Sequence, residues 1–385
     1  MNKLRINIHC KTLMLVLSMF MLNACMQNQK QTDGAEPLAL KDAYKGFFLI
    51  GTALNVDQCS LKDSAAVAVV TRHFNSIVAE NCMKSMYLQP ENGKFFFDEA
   101  DQFVKFGEEN NMFIVGHTLI WHSQAPVWLF VDGKGNDVTR DTLIARMKKH
   151  ITTVVTRYKG RVNGWDVVNE AFNDDGSFRN SKFYDIIGKD YIKLAFQFAH
   201  EADPEAELYY NDYSMPKPAK QDAVIKMVNE IKAEGIKIDG IGMQAHYTLT
   251  YPDLAEFDST IKAFASTGCK VMLTELDITV IPAPDKDQSA EISKSFEISP
   301  ELNPYPDNLP DSMQTVLSQR YADLFKVLID NNETISRVTV WGVNDGQSWR
   351  NYWPVKGRKD YPLLFDREYK AKPVVDTLIN LTKNI

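Results

Sequence analysis

Short apolar runs alternate with longer amphipathic runs from about residue 41 to the end of the chain, and this alternation limits the possible folds. The short runs are apolar almost throughout, as expected for strands that are covered on both faces. The longer runs repeat with a helical period, and several begin at a Ser, Thr or Asp or just after a Pro. We predict strands at 48–54, 76–79, 112–119, 162–168, 207–213, 240–245, 270–274 and 337–343, and helices at 63–74, 98–110, 139–158, 182–202, 219–234, 254–266, 313–331 and 374–382.

Eight strand–helix units in a row predict the α/β class and a single (β/α)8 TIM barrel spanning residues 41–385. A doubly wound dinucleotide-binding sheet is disfavoured, because no G-x-G-x-x-G motif follows a strand and opens a helix. The sequence shows no internal domain boundary. A segment rich in Pro, Asp, Ser and Asn at about 282–311 follows the seventh strand, so we expect an insertion at the carboxyl-end face of the barrel.

The first 24 residues have the features of an export signal. Three basic residues precede an apolar run at 12–22 that is too short to span a membrane comfortably. The LNAC motif at 22–25 resembles a bacterial lipoprotein signal, which implies cleavage before Cys25 and lipidation of that residue. Residues 25–40 would then form a flexible tether. We expect an exported lipoprotein of the outer membrane, periplasmic or surface-facing, held by its acyl chains alone; a plain secretory signal is the alternative.

Charge and cysteine content exclude several classes of partner and site. Asp and Glu outnumber Lys and Arg by 50 to 43, and no basic stripe is present, so nucleic acid is not an expected partner. Of the five cysteines, three lie in the barrel region, namely Cys59, Cys82 and Cys269. Three thiols allow at most one disulfide, and no C-x-x-C pair is present, so we predict buried free thiols.

Polar and aromatic residues follow most of the predicted strands. In a barrel the carboxyl ends of all strands open into one basin, so these residues become neighbours although they are remote in sequence. The converging set is Glu80, Asn81 and Lys84; His117, Trp121, His122 and Gln124; Asn169 and Glu170; Gln244, His246 and Tyr247; Glu275 and Asp277; and Trp341, Asn344, Asp345 and Trp349.

Two carboxylates in this set, Glu170 and Glu275, follow strands four and seven. Paired carboxylates on either side of a cleft are what glycosidic bond cleavage requires: one protonates the departing oxygen, and the other attacks the anomeric carbon or activates water. The alternative for Glu170 alone is a structural cap or ion pair. Strand periodicity predicts a network in which His246 donates to Glu275 and is oriented by Asp277, although a structural ion-pair network remains open for His246 alone.

Aromatic side chains at the same rim favour a sugar ligand. Trp121, Trp341, Trp349, Trp353 and Tyr247 lie on or just beyond strand ends, where flat rings can stack on pyranose faces. A catalytic metal is disfavoured because His117 and His122 would project to opposite faces of a strand, and no G-x-S-x-G elbow supports a serine hydrolase. We predict no metal and no other cofactor.

Six segments of the chain resemble glycoside hydrolase family 10, whose members include endo-β-1,4-xylanases on a (β/α)8 barrel. The segments, in order, are AENCMK at 79–84, GHTLIWHSQAPVW at 116–128, GWDVVNEA at 164–171, GMQAHY at 242–247, LTELDIT at 273–279 and VWGVNDGQSW at 340–349. The resemblance covers nearly all of the chain from residue 41 onward.

This resemblance implies a retaining endo-hydrolase of xylan and xylo-oligosaccharides that acts by double displacement. Separately, we expect a monomer. The resemblance assigns Glu170 as the acid/base and Glu275 as the nucleophile, with Asn169 on the sugar 2-hydroxyl and His246 with Asp277 tuning Glu275. It places the glycone subsites at Glu80, Asn81, Lys84, His117, Trp121, Gln124, Gln244, Trp341 and Trp349, to which the aromatic pattern adds Tyr247.

The chain departs from the family after Lys84, where Ser85 and Met86 stand in place of a frequent Trp. The outer glycone subsites are therefore predicted less firmly than the carboxylate pair. Two other functions stay open. A related barrel hydrolase would act on cellulose or mixed-linkage glucan, and a non-catalytic lipoprotein would bind glycans without cleaving them.

Overall fold

The computed structural model describes residues 37–283 and 295–384. The predicted signal segment, Cys25 and most of the tether lie outside the described residues, as does the part of the predicted insertion at 284–294. Residues from Ala39 onward form one compact unit. Within the described ranges, every helix is too short or too polar to cross a membrane.

Eight parallel strands close into a barrel, which confirms the predicted fold. Strands β1 to β6 pair in sequence order, β6 pairs with β8, and β8 pairs with β9, which returns to β1. A ninth, short strand, β7, pairs only with the carboxyl end of β8. The strands are β1 (Leu49–Leu54), β2 (Ser76–Ala79), β3 (Phe113–Trp121), β4 (Gly164–Asn169), β5 (Glu207–Asp212), β6 (Gly240–Met243), β7 (His246–Thr248), β8 (Lys270–Thr279) and β9 (Ile335–Val340).

Helices connect the strands and cover the outside of the barrel. They are α1 (Leu40–Ala43), α2 (Val56–Cys59), α3 (Ser64–His73), α4 (Ser85–Leu88), α5 (Asp98–Glu109), α6 (Arg140–Arg157), α7 (Lys182–Ile187), α8 (Asp190–Ala202), α9 (Pro218–Ala233), α10 (Leu254–Ala265), α11 (Asp311–Asp330) and α12 (Pro373–Leu381). The predicted caps account for several starts: the side chains of Asp63, Thr139 and Asp253 accept backbone N–H groups at the first turns of α3, α6 and α10.

Two predicted elements differ markedly from the structure. The single helix predicted at 182–202 is broken into α7 and α8, because the backbone of Gly188 has a φ of 80° and cannot continue a right-handed helix. The strand predicted at 270–274 extends to Thr279, because its second half pairs with β7, an element absent from the prediction.

Apolar side chains pack on both faces of the barrel wall. One cluster fills the interior and contains Ala53, Val78, Val115, Tyr209, Met272 and Trp341. A small residue makes room for a large side chain of the outer cluster: a Cβ on Gly116 would lie 2.1 Å from the indole of Trp165. The larger cluster lies between the strands and the helices. Cys59, Cys82 and Cys269 are buried free thiols, as predicted.

The described end of the predicted insertion packs against the loop that follows β9. Phe296 N–H donates to the Pro354 carbonyl at 2.8 Å, and Tyr361 Oη donates to the Tyr305 carbonyl at 2.7 Å. The same loop carries Trp349 and Trp353 to the rim of the barrel. Residues 295–311 therefore support the rim on the side of these tryptophans.

Candidate active site

A cleft opens at the carboxyl ends of the barrel strands, and thirteen side chains line it. All thirteen belong to the set predicted to converge there. They are Glu80, Asn81, Lys84, His117, Trp121, Gln124, Asn169, Glu170, Gln244, His246, Glu275, Trp341 and Trp349. Strand register explains the convergence: Trp121 lies beside Asn169 on the next strand, and Asn169 lies beside Asn211 on the strand after that.

Tyr247 does not reach this cleft, and its prediction as a sugar platform is wrong. It follows His246 directly on β7, and successive side chains of a strand point to opposite faces. The ring is 1% exposed and packs edge-on against Tyr251 and Phe257, at centroid distances of 6.0 and 5.9 Å. Tyr247 is a core residue.

Asn344 and Asp345 also lie outside the cleft lining. The Asn344 side chain accepts the backbone N–H of Gly346 at 2.7 Å and caps a short 3-10 helix. Asp345 is fully buried and accepts a hydrogen bond from Lys372 at 2.9 Å. Both residues fix the loop after β9 that carries Trp349.

The backbone of Glu170 is held on both sides of a strained turn. Glu170 directly follows β4 and has a φ of 57°, in the left-handed region that a residue with a side chain seldom adopts. Its N–H donates to the Asn211 carbonyl at 2.9 Å, and its own carbonyl accepts Arg179 Nε at 3.1 Å. The next N–H, that of Ala171, donates to Tyr210 Oη at 3.0 Å. These contacts turn the Glu170 carboxyl into the cleft.

The Glu170 carboxyl lies in an environment that favours its protonated form. It is 7% exposed, and its Oε1 accepts Gln244 Nε2 at 2.9 Å and lies 3.3 Å from Asn169 Nδ2. Burial raises the pKa of Glu170 above its ordinary value, and the negative charge of Glu275 adds to this effect, while the bond from Gln244 opposes it. Glu170 is thus suited to donate a proton.

Glu275 lies on β8 in the same cleft and favours the opposite charge state. Its Oε1 accepts Asn211 Nδ2 at 2.8 Å, and its Oε2 lies 3.2 Å from His246 Nε2. Burial alone would raise the pKa of Glu275, but the hydrogen bond from His246, the nearby imidazole of His117 and the bond from Asn211 lower it below its ordinary value. Glu275 is thus held as a carboxylate.

His246 and Asp277 form a charged pair behind Glu275. They lie directly opposite each other in the β7–β8 ladder, with His246 Nδ1 3.0 Å from Asp277 Oδ2. Burial would lower the pKa of His246, but the Asp277 charge raises it to about 9. Asp277 also accepts Arg350 Nε and Trp349 Nε1, each at 2.7 Å. Despite its burial, Arg350 and His246 lower the pKa of Asp277 to about 2.

Asn211, at the end of β5, joins the two halves of the site and was absent from the predicted set. Its Nδ2 donates to Asn169 Oδ1 at 2.9 Å as well as to Glu275, while Thr274 Oγ1 donates to its Oδ1 at 2.6 Å and so fixes the amide orientation. A Cβ on Gly242 would lie 2.6 Å from that Oδ1. The fifth strand is predicted at 207–213, which places Asn211 inside the strand, so the strand-end rule does not identify this residue.

The far end of the cleft combines a buried cation with amides and an indole. Lys84 Nζ donates to Asn81 Oδ1 at 3.0 Å and to Gln124 Oε1 at 2.9 Å, and it lies 4.9 Å above the ring of Trp121. Burial lowers the pKa of Lys84, and the charges of Glu275, Glu80 and Glu170 oppose that shift. Hydroxyl groups of a neutral ligand match these donors and acceptors.

The arrangement provides a proton donor and an anionic carboxylate facing one cleft lined by indoles and amides. That combination suits cleavage of a glycosidic bond, in which one carboxyl protonates the leaving oxygen and the other supports the anomeric centre. Within residues 37–283 and 295–384, the His, Cys, Asp and Glu side chains form no group of three that could hold a metal ion.

Comparison with known proteins finds similarity over almost the same residues. The family model described as glycosyl hydrolase family 10 matches residues 39–381. Endo-1,4-beta-xylanase A of Xylanibacter ruminicola is 52% identical over 342 residues, which cover 89% of this chain and 93% of that protein. An endo-1,4-beta-xylanase of Geobacillus stearothermophilus is 40% identical over 352 residues, which cover 89% and 98%.

Solved structures show the same likeness. A GH10 endoxylanase retrieved from a sugarcane soil metagenome superposes with a TM-score of 0.87 at 44% identity, over 89% of this chain and 100% of the solved one. Xylanase B from Clostridium stercorarium F9 superposes with a TM-score of 0.81 at 35% identity, over 89% and 100%.

Proposed function

Since this chain belongs to glycosyl hydrolase family 10 and is an endo-1,4-β-xylanase, we propose that Glu275 and Glu170 hydrolyse its xylan linkages by double displacement with retention. The observation that carries this assignment is the placement of the two carboxyls in one cleft with different partners, Glu170 beside the neutral amide of Gln244 and Glu275 beside His246 and Asn211. These surroundings raise the pKa of Glu170 and lower that of Glu275. An acid and a nucleophile are required together in the first step of such a reaction.

In the first step, Glu275 attacks the anomeric carbon while Glu170 transfers its proton to the glycosidic oxygen. The bond between that carbon and the leaving oxygen breaks, and an ester bond forms between the sugar and Glu275. The hydrogen bonds from Asn211 and His246 orient the attacking carboxylate. The departing chain leaves as an alcohol, so protons and electrons balance.

In the second step, water replaces the departed chain and Glu170 acts as a base. Water gives a proton to Glu170 and its oxygen to the anomeric carbon, and the ester bond to Glu275 breaks. Because Glu275 is neutral while it is esterified, its contribution to the raised pKa of Glu170 is lost in the intermediate. The pKa of Glu170 therefore falls when a base is needed and rises again when the ester is cleaved.

We also assign Asn169 to the 2-hydroxyl of the sugar at the point of cleavage. Asn211 and Gln244 both donate to Asn169 Oδ1, at 2.9 and 3.3 Å, so the amide is fixed with its NH2 group in the direction of Glu170. A donor held in that position strengthens its bond to a hydroxyl as charge develops on the ring.

Two alanine variants with azide test the assignment of the two glutamates. Glu275→Ala and Glu170→Ala should each lower kcat on xylo-oligosaccharides by about 10³-fold or more, since each removes a group that acts in the transition state. Azide fits the space left by either carboxylate. With Glu170→Ala it should attack the ester and give a β-xylosyl azide, whereas with Glu275→Ala it should attack the substrate and give an α-xylosyl azide.

Proton NMR of the azide products and of the first wild-type product provides the readout. We expect the wild-type enzyme to release the β-anomer first. Release of the α-anomer, or the same azide anomer from both variants, would contradict the assignment.

For the whole molecule we propose an exported monomer, anchored by a lipid on Cys25 and facing the periplasm or the outside. The LNAC motif at 22–25 supports the anchor. Light scattering of the mature protein should give the mass of a single chain, which lies below the 43.8 kDa of the full sequence because residues 1–24 are removed, whereas a dimer mass would contradict the monomer.

A further inference from the structure

A row of touching side chains leads out of the cleft on the side of Lys84. Lys84 lies over Trp121 and donates to Gln124 Oε1, and Gln124 Nε2 lies 3.4 Å from Tyr87 Oη. Exposure increases along the row: Lys84 is 6% exposed, Trp121 9%, Gln124 is partly buried, and Tyr87 is 42% exposed. The row connects the closed part of the cleft to the outer surface of the barrel rim.

The outer end of this row is a fixed surface. Tyr87 lies on α4, whose Met86 N–H donates to the Gln124 carbonyl at 3.0 Å, and Ser85 Oγ reaches the same oxygen at 3.4 Å. Tyr87 N–H itself donates to the Lys84 carbonyl at 3.0 Å. The helix, the Gln124 loop and the buried lysine thus form one platform, and Tyr87 with Met86, also 42% exposed, presents apolar surface on it.

The substrate of an endo-acting enzyme is longer than the cleft. A xylan chain that fills the site must therefore leave across both rims, and it contacts whatever the rim offers. Each xylose unit lacks a hydroxymethyl group and carries C–H bonds on its ring faces, so an exposed phenol ring is a suitable partner. Met86 adds a flexible apolar contact beside it.

We propose that Tyr87, supported by Met86, forms an outer glycone subsite that binds one further xylose unit beyond Gln124. This inference rests on the proposed function, together with the glycone subsites that the family resemblance places at Lys84 and Gln124. The hydrogen-bond contact between Tyr87 Oη and Gln124 positions the ring for the sugar that follows the one at Gln124. The subsite selects for chain length and takes no part in the chemical step.

Aryl β-glycosides of two, three and four xylose units test the subsite, since the aryl group occupies the aglycone side and each added unit extends the glycone by one subsite. Wild-type kcat/KM should rise between the two substrates of which only the longer one fills the Tyr87 subsite. Tyr87→Ala should lose roughly threefold to tenfold of kcat/KM at that step and on all longer substrates, the range for one exposed aromatic contact. Shorter substrates should be hydrolysed as by the wild type.

Two matched variants separate the subsite from a general disturbance of the rim. Phe96→Ala removes an exposed ring, 56% accessible, whose backbone N–H binds the Leu88 carbonyl, and it should keep the wild-type length profile. Tyr87→Phe keeps the ring and should keep most of the gain.

Equal length profiles for wild type and Tyr87→Ala would overturn the subsite, as would a uniform loss on all three substrates. That failure is distinct from failure of the proposed function. In the latter case the Glu170 and Glu275 variants would give the wrong azide anomers, whatever the length profile of the wild type.

Discussion

At the scale of single residues, Glu170 and Glu275 are identical side chains that differ only in what surrounds them. Both are nearly buried, and burial alone would raise both pKa values. Neutral amides bind Glu170, whereas Glu275 has the charged His246 beside it, and this difference separates the two values. The roles of the two glutamates are thus set by their neighbours, in the manner of other paired carboxylates.

Asp277→Asn should disturb the nucleophile from a distance. Without the Asp277 charge, burial would lower the pKa of His246 from about 9, and the imidazole would lose its proton near neutral pH. Glu275 would lose a positive neighbour, so its pKa would rise. We expect the acid limb of the kcat/KM–pH profile, where Glu275 ionises, to move to higher pH, with an overall loss of about 10- to 100-fold.

The position of that acid limb is the decisive measurement, because it does not depend on the fraction of enzyme that is folded. Asp175→Asn serves as the control, since Asp175 is an exposed aspartate in the loop five residues after Glu170. Its profile should match that of the wild type. An acid limb in Asp277→Asn at the wild-type pH would show that the pair behind Glu275 does not tune it.

At the scale of secondary structure, β5 serves both carboxyls because its side chains alternate. Tyr209 points into the barrel, where it packs with Met272 and Trp341, and Asn211 on the same face binds Glu275. Tyr210 points outward, donates to Asp212 at 2.5 Å and accepts Ala171 N–H, the peptide group next to Glu170. The inward face of β5 therefore orients Glu275 through Asn211, and its outward face holds the backbone turn at Glu170 through Tyr210.

Tyr210→Phe should loosen the Glu170 turn without touching the cleft. The Ala171 N–H loses its acceptor, which costs about 1–3 kcal/mol when such a group stays buried. We expect kcat to fall about tenfold on xylo-oligosaccharides, whose poor leaving groups need the acid. The rate at which the xylobiosyl ester on Glu275 forms from a dinitrophenyl xylobioside, whose leaving group needs little acid assistance, should change less than twofold in a pre-steady-state burst.

Tyr158→Phe is the matched control for this variant. Tyr158 is fully buried, and its hydroxyl donates to the carboxylate of Asp101 at 3.0 Å. Unlike Tyr210, it follows α6 in the helical layer and makes no contact with the Glu170 turn. Its loss should lower stability while leaving the ratio of the two rates at the wild-type value. The same ratio in Tyr210→Phe would argue against a positioning role.

At the scale of the whole molecule, the barrel was predictable because its topology depends on the order of strands and helices. The same order brought thirteen of the predicted residues into one cleft, since parallel strands all end at one face. The predictions that were wrong depended on local geometry. Tyr247 was assigned to the cleft because β7 was not predicted as a strand. Successive side chains of β7 point to opposite faces, so His246 faces the cleft and Tyr247 points into the core.

The absence of Asn211 from the prediction has a similar cause. Its role depends on a three-strand contact with Asn169, Thr274 and Glu275, which requires the register of β4, β5 and β8. Strand register is set by packing across the whole barrel and leaves little trace in a single strand. Residues that bind substrate directly were therefore easier to predict than residues that orient them.

The proposed lipid anchor predicts that attachment and catalysis are separable. The cleft is built from residues 80–349 within a compact unit that begins at Ala39, whereas Cys25 precedes that unit. Cys25→Ser should thus abolish incorporation of labelled palmitate and move the enzyme from the membrane to the soluble fraction. Its kcat/KM on soluble xylo-oligosaccharides should stay within twofold of the wild type, because none of the thirteen cleft residues is changed.

Cys10→Ser, in the same segment but before the apolar run, should keep both label and membrane attachment. A Cys25→Ser enzyme that remains in the membrane fraction would contradict the anchor and favour a different mode of retention, while leaving the two-glutamate mechanism intact.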